Sequence, residues 1–361
     1  MKPRNIAIAC GVAGVAVGLV AAAGIVYRKQ IKSAASLKRL TGYADGYDLY
    51  AIDIAYDYDL DRIIAAGVRD DQTYIDAVVA QVLPGVPAHV QAPQFACSAF
   101  VAVDAEGRVR TGRNYDFKDD TSALLVRNHP RGGYASIGFA ALNNLGDNTP
   151  LDSVAGRAAA LMGPFAQLDG VNECGVSIAV LTLNSKPCDQ DTQRPVINTS
   201  LAIRLVLDRA ATTQEAVDLL SAYDMHAMAG RDYHFFINDA AGDARTVEWD
   251  PHDPDRAFKA TPVRQVTNFY ACYGDEVLPN QKNGELGHGK ERAIAIADVL
   301  DAHAGAQDEA VAWKALRAAA QEPNPEDITS NTQWSVIFDN TEPAAAITLR
   351  RHWGDVDAFA L

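Results

Sequence analysis

Repeated strand–turn–strand segments constrain the fold of this 361-residue chain more than any other feature. Three such pairs are present, SAFVAVD with RVRTGRNYDF, YHFFIND with RTVEW, and WSVIFDN with AAITLRRHW. Strand-forming runs that are joined by short turns are typical of β-hairpins. The segments with helical periodicity are SLAIRLVLDRA, TQEAVDLLSAY and KERAIAIADVLDAH. Hairpins together with helices predict sheets covered by helices, an α+β layered fold.

The part of the chain before the first hairpin, residues 28–96, is predicted to form a leader. Tyr47–Tyr56 alternates polar and apolar residues, as a half-buried strand does, and a helix is expected around Asp76–Leu83. A proline-rich stretch, LPGVPAHVQAPQFA, then indicates an extended connector. The main globular domain is expected to occupy residues 97–361.

The N-terminus carries the signature of a membrane-directed segment. Ile6–Tyr27 holds 22 residues without charge, with lysine and arginine on both flanks. A helix of that length spans roughly 33 Å, about the hydrocarbon core of a bilayer. We therefore predict a signal anchor or transmembrane segment in residues 1–27 rather than a buried core helix. Small residues at Ala21–Ala23 also suit a signal peptidase, so cleavage and retention both stay open.

Two sequence signals give opposite orientations for that segment. The basic residues after it would hold this flank in the cytoplasm by the positive-inside rule. The short basic start MKPR followed by an apolar run is, however, also an export signal. We favour a membrane-anchored or secreted protein with its main domain outside the cytoplasm.

Charge and composition exclude several classes of partner. The chain has 32 Lys and Arg against 46 Asp and Glu, a net charge of −14. So acidic a surface repels phosphate backbones, and nucleic-acid binding is not expected. His252 in DPHDPD could be drawn as a metal-ligand set, but we interpret it as a solvated turn. Neither a metal nor a cofactor is predicted.

Cys97, at the start of the first hairpin, is the candidate for covalent chemistry. A cysteine there is either a buried structural residue or an exposed nucleophile. Arg113 follows sixteen residues later within GRNYDF, and the hairpin returns it and Asp116 alongside Cys97. A guanidinium lowers the pKa of a neighbouring thiol. The alternative for Arg113 and Asp116 is a surface ion pair that contributes little.

CSAFVAVDAEGRVRTGRNYDF resembles the nucleophile segment of choloylglycine hydrolases, penicillin V acylases and acid ceramidase-like enzymes. These are N-terminal-nucleophile (Ntn) hydrolases of linear amide bonds, and the cysteine-to-arginine spacing matches theirs. Three later motifs follow in the family's order, at Asn172–Val176, at Val266–Asn268 and in the closing hairpin with its turn at Asp339–Thr341. The leader resembles the prosegment of the acid ceramidase-like branch. The resemblance covers roughly residues 43–350.

This resemblance implies a four-layer αββα sandwich and a precursor that cuts itself between Ala96 and Cys97. The freed α-amine of Cys97 would act as the general base. The implied catalytic residues are Cys97 as nucleophile and base, Asp116 as the residue binding the α-amine, Arg113 beside the thiol, Asn268 as an oxyanion-hole donor, and Arg292. For Arg292, a solvated position at a helix start is the alternative interpretation. Bile-salt hydrolases have an asparagine where this chain has Thr182, and this difference weakens the expectation of a bile-salt substrate. The nearest asparagine, Asn184, lies two residues further on.

The predicted function is thus a cysteine-nucleophile amidase acting on small-molecule N-acyl amides of fatty-acyl, bile-acid or penicillin V type. Thr182 and Asn184 are its candidate substrate-binding residues. The alternatives are an acyltransferase of the same fold and a non-catalytic surface-binding protein. Besides its substrate, the expected partners are a membrane, through the N-terminal segment, and the protein's own cleaved leader.

Overall fold

The computed structural model describes residues 27–84, 96–146, 151, 153–282, 284–324, 326–327 and 330–361. The membrane segment predicted in residues 1–27 and the connector between residues 85 and 95 lie outside the described residues, apart from Tyr27. Of the helices in the described ranges, none combines the length and the apolar character needed to cross a bilayer.

In the described residues a nine-stranded sheet joins the leader to the main domain. Its strands are, in spatial order, β1 (Lys38–Thr41), β2 (Leu49–Ile54), β5 (Ala123–Asn128), β6 (Ser136–Ala141), β7 (Gln167–Asn172), β8 (Ser177–Leu183), β11 (Asp232–Asn238), β12 (Ala244–Trp249) and β13 (Phe258–Pro262). The leader strand β2 runs parallel to β5, whereas the other neighbours are antiparallel. The leader therefore forms part of the main sheet.

A second sheet, of six strands, carries the first and last hairpins. Its strands are, in spatial order, β14 (Gln265–Val266), β3 (Ala96–Val103), β4 (Val109–Asp116), β15 (Thr332–Asp339), β16 (Ala344–Leu349) and β17 (Asp357–Ala360). A small parallel pair is formed by β9 (Val196–Asn198) and β10 (Asp224–His226). The three hairpins predicted from the sequence are confirmed, as β3–β4, β11–β12 and β15–β16.

The helices cover the outer faces of the two sheets. They are α1 (Arg28–Ser36), α2 (Leu60–Ala65), α3 (Asp71–Val82), α4 (Asn143–Gly146), α5 (Val154–Ala160), α6 (Thr199–Arg209), α7 (Thr213–Ser221), α8 (Lys290–Asp301) and α9 (Glu309–Ala319), with 3₁₀ turns at Gly163–Phe165, Met228–Gly230 and Ala271–Tyr273. Helices α6 and α7 pack on the larger sheet, and α8 and α9 on the smaller one. The sheets also contact each other, through β3 with β8 and β7 with β15. The predicted mixed α and β fold with several sheets is confirmed.

Strand β3 separates two hydrophobic clusters, because successive side chains of a strand point to opposite faces. Ala99 and Val101 belong to the cluster between the two sheets, and so does Cys97. Phe100 and Ala102 belong to the cluster beneath α8 and α9. The alternation along β3 thus directs the Cys97 side chain into the interior between the sheets.

Two of the sequence motifs meet at one end of the sandwich. The turn between β7 and β8 contains Gly175 at φ +83°, where a Cβ would lie 2.1 Å from the carbonyl oxygen of Asn340. The side-chain amide of Asn340 donates to the Gly175 carbonyl at 2.8 Å. Glycine is therefore required at this turn, both for its backbone conformation and for the close approach of the second motif.

Candidate active site

The β3–β4 pairing brings the predicted nucleophile and its partners together. Cys97 lies opposite Tyr115, and Ala96 lies opposite Asp116. Arg113 donates from Nη2 to the Cys97 Sγ at 3.2 Å. The side chains of Cys97, Arg113 and Asp116 are all fully buried. The hairpin therefore places Arg113 beside the thiol as predicted, and the alternative of a surface ion pair is wrong.

The charge of Arg113 is balanced by a carboxylate on the opposing sheet. Its Nη1 lies 2.7 Å from Oδ2 of Asp169 on β7, and both side chains are fully buried. Asp169 also accepts hydrogen bonds from the Trp334 indole at 3.2 Å and the Phe139 backbone N–H at 3.1 Å. Burial raises the pKa of Asp169, and the Arg113 guanidinium opposes that rise. Asp169 was missed in the sequence, because only contact between the sheets brings it to the site.

Asp116 is held by donors from three other segments. It accepts from the Thr332 hydroxyl at 2.6 Å and from the Gln321 amide at 2.8 Å, and Nη1 of Arg292 lies 3.3 Å away. Burial raises the pKa of this carboxyl, while Arg292 and the two hydrogen bonds lower it. Thr332 reaches the site because β15 pairs with β4 so that it faces Asp116. No local sequence signal marks Thr332 or Gln321.

Asn268 and Arg292 contact the backbone of the nucleophile itself. The Cys97 backbone N–H donates to Oδ1 of Asn268 at 3.0 Å, and Arg292 donates to the same oxygen at 2.7 Å. Arg292 also donates to the Cys97 carbonyl at 2.8 Å. It is buried in the first turn of α8, so the alternative of a solvated helix start is wrong. Nδ2 of Asn268 donates to the Thr182 carbonyl at 2.8 Å, so its oxyanion-hole role stays a prediction.

The thiol of Cys97 is covered in the uncut chain, which differs from the exposed position expected of a nucleophile. Burial raises its pKa to about 12, and the Arg113 guanidinium and a hydrogen bond from the Asp116 backbone N–H oppose the rise. Desolvation outweighs the guanidinium because the thiol has no solvent contact. The chain therefore holds a protonated thiol beside the Arg113 guanidinium.

The two candidate substrate-binding residues differ in their surroundings. Thr182 on β8 is buried and reaches the nucleophile through its carbonyl oxygen, which binds Asn268. Asn184 follows the end of β8 and is half-buried, and its amide oxygen accepts from Arg231 at 3.3 Å. The structure thus connects Thr182 to Cys97 through Asn268, whereas Asn184 is tied to a different loop. Their roles in binding substrate stay predictions.

A cavity of about 400 Å³ is lined by side chains that contact Asp116. Its lining includes Gln281, His288, Glu291, Arg292, Gln321 and Asp327. Arg292 and Gln321 both contact Asp116, so the cavity leads to the residues around the nucleophile.

As for metals, the described ranges contain no group of three or more His, Cys, Asp or Glu side chains arranged to hold an ion. The four described cysteines are all free.

Comparison with known proteins gives this geometry its context. Residues 103–352 match the family model for acyl-coenzyme A:6-aminopenicillanic acid acyl-transferase. Among solved structures, a mutant of conjugated bile acid hydrolase from Clostridium perfringens superposes with a TM-score of 0.56 at 14% identity, over 73% of this chain and 92% of that one. Penicillin V acylase from Agrobacterium tumefaciens superposes with a TM-score of 0.53 at 20% identity, over 73% and 86% of the two chains. No curated protein sequence matches the chain.

The family match covers more than half of the chain, and the solved structures share its fold. The protein belongs to the acyl-coenzyme A:6-aminopenicillanic acid acyl-transferase family, within the Ntn hydrolases of linear amides. The predicted family is confirmed. The matched range begins six residues after Cys97, so the role of that residue rests on the geometry described above.

Proposed function

We propose that the protein is a cysteine-nucleophile amidase that hydrolyses small-molecule N-acyl amides after cutting its own chain between Ala96 and Cys97. The observation that carries the proposal is the convergence on one residue. Arg113 contacts the Cys97 sulfur, Asn268 accepts from its backbone N–H, and Arg292 binds its carbonyl. Sulfur, nitrogen and carbonyl of a single residue are each held by a different buried side chain.

Self-cleavage would follow from that arrangement. The Cys97 sulfur attacks the Ala96 carbonyl carbon, the Ala96–Cys97 peptide bond breaks, and the thiol proton passes to the departing nitrogen. Water then hydrolyses the thioester and releases the leader with a new carboxylate. The freed α-amine stays near Asn268, which already accepts from this nitrogen at 3.0 Å.

Turnover would use the new amine as the general base. An α-amine has an unperturbed pKa of about 7.7–8.0, so a fraction is neutral near physiological pH. It takes the thiol proton as sulfur attacks the substrate amide, and it returns that proton to the leaving amine as the C–N bond breaks. Water then hydrolyses the acyl thioester, which releases the acid and regenerates the thiol. Arg113 stabilises the thiolate at 3.2 Å. Asp116, which lies opposite Ala96, would bind the protonated amine.

The substrate would be an N-acyl amide of fatty-acyl, bile-acid or penicillin V type; the names of the structural neighbours support the last two. Thr182 and Asn184 are the proposed substrate-binding residues. The cavity lined by Arg292 and Gln321 suits the amine half of such a molecule, because most of its lining side chains are charged or carry an amide. The family name favours a second candidate, transfer of the acyl group to an amine rather than to water.

We further propose that the protein is membrane-anchored or secreted, with this domain outside the cytoplasm, and that the leader stays bound after cleavage. The first proposal is supported by the uncharged run Ile6–Tyr27. The second is supported by the pairing of β2 with β5, which spans Leu49–Ile54.

The decisive experiment measures intact mass and N-terminal sequence of wild type, Cys97→Ala and Cys174→Ala at acidic and neutral pH. Cys174 is a half-buried thiol in the β7–β8 turn and controls for loss of a cysteine as such. We expect a new N-terminus at Cys97 in wild type and Cys174→Ala, and an uncut chain in Cys97→Ala. Acyl amides would then be assayed with and without an amine acceptor, which separates hydrolysis from transfer. Amidase activity that survives in Cys97→Ala would refute the proposal.

A further inference from the structure

A second buried polar pair lies beside the nucleophile site, and the proposed mechanism does not use it. His234 on β11 and Glu248 on β12 face each other, one residue beyond the pair Phe235–Val247. Both side chains are fully buried. A buried carboxylate is costly unless its charge is compensated, so the partner of Glu248 needs an explanation.

Both ring nitrogens of His234 face acceptors. Nδ1 lies 3.2 Å from a carboxylate oxygen of Glu248, and Nε2 lies 2.9 Å from the carbonyl oxygen of Thr267. A neutral imidazole carries one N–H and can satisfy only one of these acceptors. An imidazolium carries two and satisfies both.

The other bonds of Glu248 lead to the same segment. Its carboxylate accepts from the backbone N–H groups of Ala271 at 2.9 Å and Cys272 at 2.7 Å, at the start of a 3₁₀ turn. Asn268 lies between these residues and Thr267, so the pair holds the segment on both sides of it. Because His234 and Glu248 belong to the larger sheet while β14 belongs to the smaller one, the pair also connects the two sheets at this point.

Among the described groups around Glu248, His234 is the one that can supply a positive charge to it. Asp232, on the same face of β11, is already paired with Arg256 and bound by Tyr270. Burial and the Glu248 carboxylate raise the pKa of the Cys272 thiol, so this group adds no charge. Within the described residues no lysine or arginine forms an ion pair with Glu248.

On the segment packed against Thr267 and Asn268, His288 is neutral as well. Burial and the neighbouring Arg292 lower its pKa to about 4. It therefore does not compete with His234 as the counter-charge of Glu248.

We propose that His234 and Glu248 form a buried imidazolium–carboxylate pair that positions Asn268 for the reaction at Cys97. Both would be positioning residues, because they act on the reacting groups through the 267–272 segment. The inference rests on the proposed function for its catalytic consequence, whereas the charge state of His234 is independent of it.

The first test is ¹⁵N NMR of the full-length protein with labelled histidine, at pH 7 to 8. The His234 signals are assigned by their loss in His234→Gln. We expect two protonated ring nitrogens in wild type and one in Glu248→Gln, where the counter-charge is gone. A single protonated nitrogen on His234 of the wild type would overturn the proposal, whatever the enzyme's activity proves to be.

The second test separates positioning from folding. In Glu248→Gln we expect kcat for the acyl amide to fall at least tenfold with KM within threefold, since misplacing an oxyanion-hole donor costs part of the roughly 10²–10³ of its removal. Glu248→Asp should recover part of the loss. His226→Gln is the matched control, because the half-buried His226 also pairs with a carboxylate, but with the exposed Asp189. A kcat equal to wild type in a folded Glu248→Gln would overturn the positioning role.

Discussion

Replacing Arg113 by methionine is expected to destabilise the uncut protein strongly, because it removes the partner of a buried carboxylate. Arg113 and Asp169 are both fully buried and lie 2.7 Å apart. Methionine roughly preserves the length and volume of the aliphatic part of arginine. The variant therefore tests the charge more than the packing.

The magnitude follows from the burial of the pair. Removing one partner of a buried ion pair costs about 3–5 kcal/mol, since the remaining charge is left uncompensated. An unfolding entropy of roughly 2.1 cal/mol/K per residue gives about 0.8 kcal/mol/K for these 361 residues, so the melting temperature should fall by about 4–7 °C. Arg113→Met with Asp169→Asn should recover much of this loss, because the double variant buries no charge at this position.

The pH dependence has a definite sign. Burial already raises the pKa of Asp169 in the folded protein, and Arg113 opposes that rise. Without Arg113 the folded pKa rises further above the unfolded value of about 3.9. A carboxyl with a raised folded pKa binds more protons when folded, so stability is lost as pH rises through the window between the two values. The deficit of Arg113→Met should thus be smallest near pH 4 and grow toward neutral pH.

Thermal unfolding is measured in a Cys97→Ala background, so that every chain stays uncut, for wild type, each single variant and the double variant. An Arg113→Met deficit below 1 kcal/mol, or one that shrinks as pH rises, would refute the reasoning. So would a double variant no more stable than Arg113→Met alone.

Two further predictions concern the nucleophile and the leader. In uncut precursor at pH 8, iodoacetamide should modify Cys97 more slowly than the half-buried Cys174, and cleavage should reverse that order. Peptide mapping by mass spectrometry measures both rates, and fast labelling of Cys97 in the precursor would contradict the burial of its thiol. Ile52→Ala, at a fully buried position of β2, should cost about 2–5 kcal/mol and release the cleaved leader in gel filtration. Asp53→Ala, on the exposed face of the same strand, should leave the two pieces together, and a leader lost equally from both variants would contradict a role for strand packing.

Features that depend on local order were predictable from the sequence. The hairpin places Arg113 beside Cys97 because an antiparallel turn fixes which residues face each other. At the start of α7 the Thr212 hydroxyl accepts from the Glu215 backbone N–H, a capping pattern that a sequence can show by itself. Such signals lie within one hairpin or one helical turn, and they can be recognised without knowledge of the rest of the fold.

Features that depend on contact between distant elements were not predictable. Asp169 reaches Arg113 because two sheets stack, and Thr332 reaches Asp116 because of the register of β15 against β4. His234 has an ordinary setting in the sequence YHFFIND, and only the fold places a carboxylate and a carbonyl at its two nitrogens. The sequence likewise carried no indication that β2 pairs with β5, since parallel pairing depends on connections through other layers.

That parallel pairing also determines what the large sheet presents at its border. The strand at the leader's edge of this sheet is β1, which is four residues long and begins with the exposed Lys38 and Arg39. Short, charged border strands discourage pairing with other molecules. Without the leader the border would be β5, whose Leu124, Leu125 and Val126 are fully buried in the intact fold. We therefore expect the leader to protect this edge from intermolecular strand addition, and a chain without it to aggregate even with Cys97 and Arg113 in place.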